Sequence, residues 1–292
     1  MTKGRDSIKD LLNPKTDYVF KRIFGYTGNE EITKSLIKAI TKENIEEITL
    51  DCNPITEKDL LDDKVGILDI KAKLNNNTNC NIEMQVVDKK DIEKRLLYYW
   101  SKMYSQSIKQ GNEYQKLEKC ISILITDFNL ERLKEIPEFI TKWNIRETKN
   151  PQIILTEMLE FYIIETNKTV VKENNDELNG WLQFINNPRE KTSMENKEIK
   201  QARKVLEEIS QDEHERYLAE LRQKYIMDQK AIEDAGYDKG VKAGLEQGIE
   251  KGIEQGNRQK QIEIAKKLKE MKIDIETIEK STGLTEDEIE NL

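Results

Sequence analysis

Asp69, Glu83 and Gln85 are the residues of this 292-residue chain whose types and spacing point most clearly to chemistry. Asp69 lies in Leu68-Asp69-Ile70-Lys71-Ala72-Lys73-Leu74, and Glu83 and Gln85 lie in Asn81-Ile82-Glu83-Met84-Gln85-Val86. Both segments alternate apolar and polar residues, the pattern of half-buried strands whose side chains face opposite ways with period two. Asp69, Lys71 and Lys73 share one face, opposite Leu68, Ile70, Ala72 and Leu74. Glu83 and Gln85 likewise lie opposite Cys80, Ile82, Met84 and Val86. A hairpin turning near Asn77 sets Asp69 opposite Gln85 and Lys71 opposite Glu83, with the Asp69 and Glu83 carboxylates on a diagonal roughly 7 Å apart. Such carboxylates can hold a hydrated hard cation such as Mg²⁺, the Lewis acid and water activator that phosphodiester hydrolysis needs. A Lys71–Glu83 ion pair on an ordinary polar face fits the same spacing.

These strands need elements around them. A helix is predicted from Asp17 through Phe20, Ile23 and Phe24, stopped by Gly25, and a second at 29–41. Strands follow at 46–51, 65–74 and 80–87. The helix from about Asp91 to Gln110 ends at Gly111-Asn112. Cys120-Ile-Ser-Ile-Leu-Ile-Thr-Asp127 has the continuous apolar character of a central strand covered on both faces. The stretch after it is less clear, up to a weaker strand at 158–165. Trp181, Leu182 and Phe184 mark a packing helix, and 195–229 reads as charged, amphipathic helix. The expected architecture is a mixed α/β domain over 1–190, a charged helical connector over 191–235, a glycine-repeat helix over 236–258 and a small helical module over 259–292.

Composition narrows the field. Hydrophobic and charged residues each make up 36% of the chain, so solvated helices account for much of its length. No run approaches the ~20 apolar residues of a membrane span, and the N-terminus lacks a secretory apolar run, which points to the cytoplasm and away from membranes. Residues 1–130 carry 21 Lys and Arg against 21 Asp and Glu, so the whole net charge of −8 falls on the rest. Lys89, Lys90, Lys94, Arg95, Lys102 and Lys109 recur at near-helical spacing, as a solvated face or a phosphate-contacting one. Cys52, Cys80 and Cys120 are too sparse for a disulfide framework and read as small buried residues. His214 is the only histidine, which leaves a His-dependent hydrolase or zinc site without support.

Gly236, Gly240, Gly244, Gly248, Gly252 and Gly256 recur every fourth residue. Each costs a helix about 1 kcal/mol relative to Ala, so something must compensate. Close contact between two chains would, with Val241, Leu245, Ile249 and Ile253 flanking the seam; a flexible tether is the alternative. Residues 274–292 have the outline of a helix-turn-helix, but the helix that would enter a groove carries Glu286, Asp287, Glu288 and Glu290, so a protein-contact module is preferred. Thr285 and Glu288 form a capping box before it.

Asp69 followed by Glu83-x-Gln85 resembles the PD-(D/E)XK nuclease core in the variant where Gln replaces the usual Lys. The wider chain is similar to the Rpn-type recombination-promoting nucleases and related transposases. The matching segments include Thr16-Asp17-Tyr-Val-Phe20, Arg95-Leu-Leu-Tyr98-Tyr99-Trp-Ser101, Gly111-Asn-Glu-Tyr114, Ile123-Leu-Ile-Thr-Asp127 and Trp181-Leu-Gln-Phe184, together with the glycine repeat and the tail. The resemblance implies a restriction-endonuclease-like core followed by an α-helical C-terminal region. It implies a Mg²⁺-dependent DNA endonuclease, with Mn²⁺ able to substitute, linked to recombination, mobile elements or phage defence. Asp69 and Glu83 would then ligate the metal, and Gln85 would orient water or substrate without a positive charge. Asp17 would add an acidic group from the first helix, although charge complementarity at a helix N-terminus explains it as well. Arg95, with Lys94 and Lys102 on the same helix, would contact DNA, while Tyr98 and Tyr99 are read as packing. A homodimer through the glycine repeat is expected, and Met227 would begin a 66-residue C-terminal product able to regulate the full chain. The competing readings are an interaction protein of nuclease descent that has lost catalysis and a DNA-binding regulator acting through the C-terminal helices.

Overall fold

The structure, a computed structural model, describes residues 11–51, 55, 57–61, 69–88, 91–168, 176–191 and 196–292. Cys52, Leu68, Lys89, Lys90 and the first part of the strand expected at 65–74 lie outside the described residues. Two compact units divide the chain, Met1–Met227 and Asp228–Leu292.

The strands of the first unit are β1 (Ile48–Asp51), β2 (Ile70–Leu74), β3 (Thr78–Gln85), β4 (Lys119–Thr126), β5 (Ile140–Trp143) and β6 (Leu159–Glu165), joined in one sheet ordered β1-β2-β3-β4-β6-β5. β1, β2 and β3 pair antiparallel, β3, β4 and β6 run parallel, and β5 closes the far edge antiparallel. β5 is absent from the sequence expectation because Ile140-Thr-Lys-Trp143 is short and half-exposed, as an edge strand can be. The continuous apolar run at 120–126 does become a central strand, with Cys120 through Thr126 all buried.

The apolar face carries Ile70, Ala72, Cys80, Ile82, Ile121, Ile123, Tyr162 and Ile164. It packs into one core with α1 (Asp17–Phe24), α2 (Glu30–Thr41), α5 (Asp176–Asn186) and α6 (Lys197–Gln211). Phe24 meets Trp181 edge-on at 5.4 Å and Phe20 at 4.6 Å. α6 buries Ile199, Ala202, Leu206 and Ile209, and α7 (Glu213–Glu270) buries Leu218 and Ala219 in the same core. The connector expected at 191–235 is therefore largely part of the first unit, because its apolar stripe has a core to cover. Gly25 ends α1 where a Cβ would lie 3.0 Å from Ile70 Cγ1, so a glycine is what lets the helix stop against the first residue of β2.

On the opposite face, α4 (Ile92–Gln106) covers β4 and β6 through a smaller core of Ile92, Leu124, Leu130, Leu133 and Ile163, with Leu96 against it. Trp100 Nε1 donates to the Cys120 carbonyl at 3.0 Å, and its ring stacks on Tyr104 at 4.9 Å. A four-residue helix, α3 (Glu57–Leu60), completes the unit. Cys80 and Cys120 are buried free thiols, as their sparse spacing implied.

In the second unit the glycine repeat is helical throughout, within α7. α8 (Ile275–Thr282) and α9 (Glu286–Glu290) close a small core of Ala265, Ile278, Leu284 and Ile289. Asp274 caps α8 by accepting from Thr277 N at 2.9 Å, Gly283 supplies the left-handed turn at φ 72°, and the Thr285/Glu288 capping box forms. Among the described residues no helix is long and apolar enough to cross a membrane.

Candidate active site

The β2–β3 hairpin turns through Asn75 and Asn76, at φ 47° and 58°, with Asn77 N donating to the Leu74 carbonyl at 3.1 Å. Two consecutive positive φ values fit a primed hairpin turn, which asparagine tolerates. The turn therefore lies earlier than the expected centre near Asn77. The ladder pairs Ile70 with Ile82 and Lys71 with Asn81. One step beyond its last pair, Asp69 falls opposite Glu83, so the expected Asp69/Gln85 and Lys71/Glu83 pairs are corrected by two residues. Because the shift is even, every side chain keeps its face. Directly opposed residues of a regular ladder have Cβ atoms about 5 Å apart, closer than the diagonal expected from the sequence.

The electrostatics follow from that opposition. Burial and then the facing Glu83 carboxylate push the Asp69 carboxyl up to about 8, against a hydrogen bond from Asn81 and the more distant charges of Arg95 and Lys71. Arg95, on the α4 face turned to the sheet, donates from Nη2 to Glu83 Oε1 at 3.2 Å. Its Nη1 is buried and has no hydrogen-bond partner. Gln85 is buried on the same face, next to Thr126 of β4. Among the described residues no group of three or more His, Cys, Asp or Glu side chains forms a metal cage. Two carboxylates are nonetheless a sufficient protein donor set for Mg²⁺, which keeps water and takes substrate phosphate for its remaining positions. Two opposed carboxylates that share a proton also answer to a cation in its place.

The structure thus brings together Asp69, Glu83, Gln85 and Arg95. Asp17 is otherwise engaged: Arg222 donates to it from Nε at 3.0 Å and from Nη2 at 2.6 Å, while Arg222 Nη1 binds the Leu60 carbonyl at 2.9 Å. Beside it, Glu215 takes Arg22 through two hydrogen bonds and the Tyr18 hydroxyl at 2.7 Å. Asp17 thereby ties α1 to the start of α7. Lys94 is exposed and pairs with Asp91 at 2.9 Å, and Lys102 is exposed one helical face away, beside a cavity. Tyr98 is not core as expected but 59% exposed, because α4 buries only its Ile92 side fully. Tyr99 is half-buried. Sequence reasoning missed Asn81, although period two places it on the Glu83 face, and missed Arg222, which no local pattern distinguishes from its charged neighbours.

Comparison with known families accords with this geometry. Residues 14–236 match the PD-(D/E)XK nuclease family transposase, and residues 258–292 match the Rpn/YhgA-like nuclease family, C-terminal HTH domain. The second match corrects the preference for a protein-contact module at 259–292 in favour of the helix-turn-helix outline. No curated protein and no solved structure gives a match. With most of its length matched and the signature residues on a mixed sheet flanked by helices, this chain belongs to the Rpn-type PD-(D/E)XK nuclease family of transposase-related proteins.

Proposed function

We propose that the protein is a metal-dependent DNA endonuclease that hydrolyses phosphodiester bonds at Asp69 and Glu83. The observation that carries this reading is the opposition of these two carboxylates across the β2–β3 hairpin, with Arg95 held against Glu83. Asp69 and Glu83 would hold Mg²⁺, or Mn²⁺, which when bound supplies a Lewis acid and lowers the pKa of water. The chain's own residues do the rest. Asn81 fixes the Asp69 carboxylate, and Arg95 fixes Glu83 through Nη2 and places a positive charge beside it for the scissile phosphate. Gln85 orients water or phosphate through its amide and, having no ionisable group, takes no part as a base.

In this proposal the nuclease serves recombination, mobile elements or phage defence, and the second unit assembles and regulates it. Tyr237, Val241, Leu245, Ile249 and Ile253 are each more than half exposed beside glycines that have open space around them, which supports a homodimer along this helix. The unit boundary at Met227 coincides with the start of the C-terminal product inferred from the sequence, which supports a separately folded regulator. The HTH match supports DNA contact by 258–292. A catalytically inert, DNA-binding descendant is the second reading, favoured by Gln85 standing where a core lysine is usual.

The test is incubation of supercoiled plasmid with the full-length protein in Mg²⁺ and in EDTA. Nicked or linear product in Mg²⁺ alone is expected; an intact plasmid under both conditions moves the function to the inert reading.

A further inference from the structure

A cavity of about 660 Å³ opens beside Asp69, between the polar faces of β1–β3 and the α4 face that carries Arg95. Its walls come from three chemistries. Tyr99 supplies an aromatic side, steadied by Tyr98, whose ring lies edge-on at 5.4 Å. Gln106 supplies an amide that both donates and accepts, and Asn79 a second, whose Nδ2 also donates to Glu118 at 2.8 Å. The charges largely cancel: Lys73 pairs with Glu118 at 2.8 Å, and Lys71 stands opposite Asp51 in the β1–β2 register. Lys102 is left as an exposed cation at the wall, with no ion pair among the described residues.

A groove built to track a run of phosphates would be rich in unpaired Lys and Arg. This one is close to electroneutral, amide-lined and walled by an aromatic ring, which suits a base and its sugar. Its volume lies in the range that encloses a small organic molecule and is far too small for a duplex. Resting on the nuclease reading above, we infer that the cavity receives one unpaired nucleotide of the substrate strand, next to the phosphate held at Asp69 and Glu83. The base stacks on Tyr99, its edge meets the amides, and Lys102 takes the adjoining phosphate. Substrate choice then follows from the cost of exposing a base, which is least in single strands, bulges and mismatches.

Binding tests this without relying on cleavage. The full-length protein in EDTA is titrated against labelled oligonucleotides carrying one 2-aminopurine: a single strand, a duplex with that base bulged, and a perfect duplex. The expected result is that the first two bind about tenfold more tightly than the third, with quenching of the 2-aminopurine on binding. Tyr99→Leu removes the quenching and about tenfold of that affinity, whereas Tyr99→Phe retains both. Lys102→Ala, at an exposed position that folding does not need, also weakens the single strand. Equal affinity for all three substrates, with no response to Tyr99→Leu or Lys102→Ala, overturns the inference. The two proposals separate cleanly: plasmid cleavage without base preference keeps the nuclease and loses the pocket, and base-selective binding without cleavage does the reverse.

Discussion

Asp69 and Glu83 face each other one step past the last ladder pair of the β2–β3 hairpin, and burial together with the Glu83 charge keeps a proton on Asp69 up to about pH 8. In the unfolded chain an aspartate loses its proton at about pH 4. Between these values the metal-free folded state holds a proton that the unfolded state lacks. The stabilisation from this source is therefore full below about pH 4 and is lost as pH rises through about 8.

Asp69→Asn removes that dependence. In EDTA the wild-type melting temperature should fall between pH 5 and pH 9 relative to the variant, by about 10 °C. Mg²⁺ should raise the wild-type midpoint and leave the variant unmoved, since only the wild type binds it. Parallel melting curves for both proteins across this range would contradict the shared-proton description.

Arg95 holds Glu83 with one nitrogen and leaves the other without a partner. Arg95→Ala should lower kcat/KM for DNA cleavage about ten- to a hundredfold and reduce the salt dependence of binding by about one phosphate contact. Lys94→Ala, which removes only an exposed pair with Asp91, should change neither by more than about twofold. Cleavage kinetics across a salt series separate the two.

The Asp17–Arg222 pair is a largely buried tie between α1 and α7. Breaking one side of such a pair costs about 3–5 kcal/mol. Asp17→Asn and Arg222→Leu should both lower the urea midpoint substantially, while Asp17→Asn leaves the Mn²⁺ affinity of the folded protein within about twofold. A large loss of Mn²⁺ affinity in folded Asp17→Asn would restore Asp17 to the metal.

Much of this site is legible in the sequence because it depends on period two. Alternation over 69–74 and 81–86 fixes the faces of Asp69, Glu83 and Gln85 under any even shift of register, so an error of two residues in the pairing leaves all three on one face. The register itself depends on which asparagines of Asn75–Asn79 adopt positive φ, and four asparagines within five residues give the sequence no means of choosing. Arg222 is illegible for a different reason. Its partner lies 205 residues away, and nothing local marks one arginine in a charged helix as the buried one. In 191–235 the amphipathic stripe is visible in the sequence, but the core it covers, with Ile199, Leu206 and Leu218 in it, is not. The exposure of Tyr98 is illegible because aromatic content alone does not say which side of a helix meets a sheet.

The glycine helix gives a prediction with two signs. A Cβ at Gly244 or Gly248 meets nothing within the chain, so Gly244→Ala and Gly248→Ala should each stabilise the helix by about 1 kcal/mol. If two chains meet along this face, the same substitutions should weaken the dimer. Circular dichroism melts and sedimentation equilibrium on the same samples check both; a stabilised helix with unchanged association would remove the glycines from the dimer contact.

The central claim, that Asp69 and Glu83 form the metal-dependent hydrolytic site, is tested most directly by supercoiled plasmid cleavage with wild type, Asp69→Ala and Glu83→Ala side by side in Mg²⁺, after thermal melts establish that all three are folded. Cleavage by the wild type alone is the predicted result. Undiminished cleavage by either variant would contradict it.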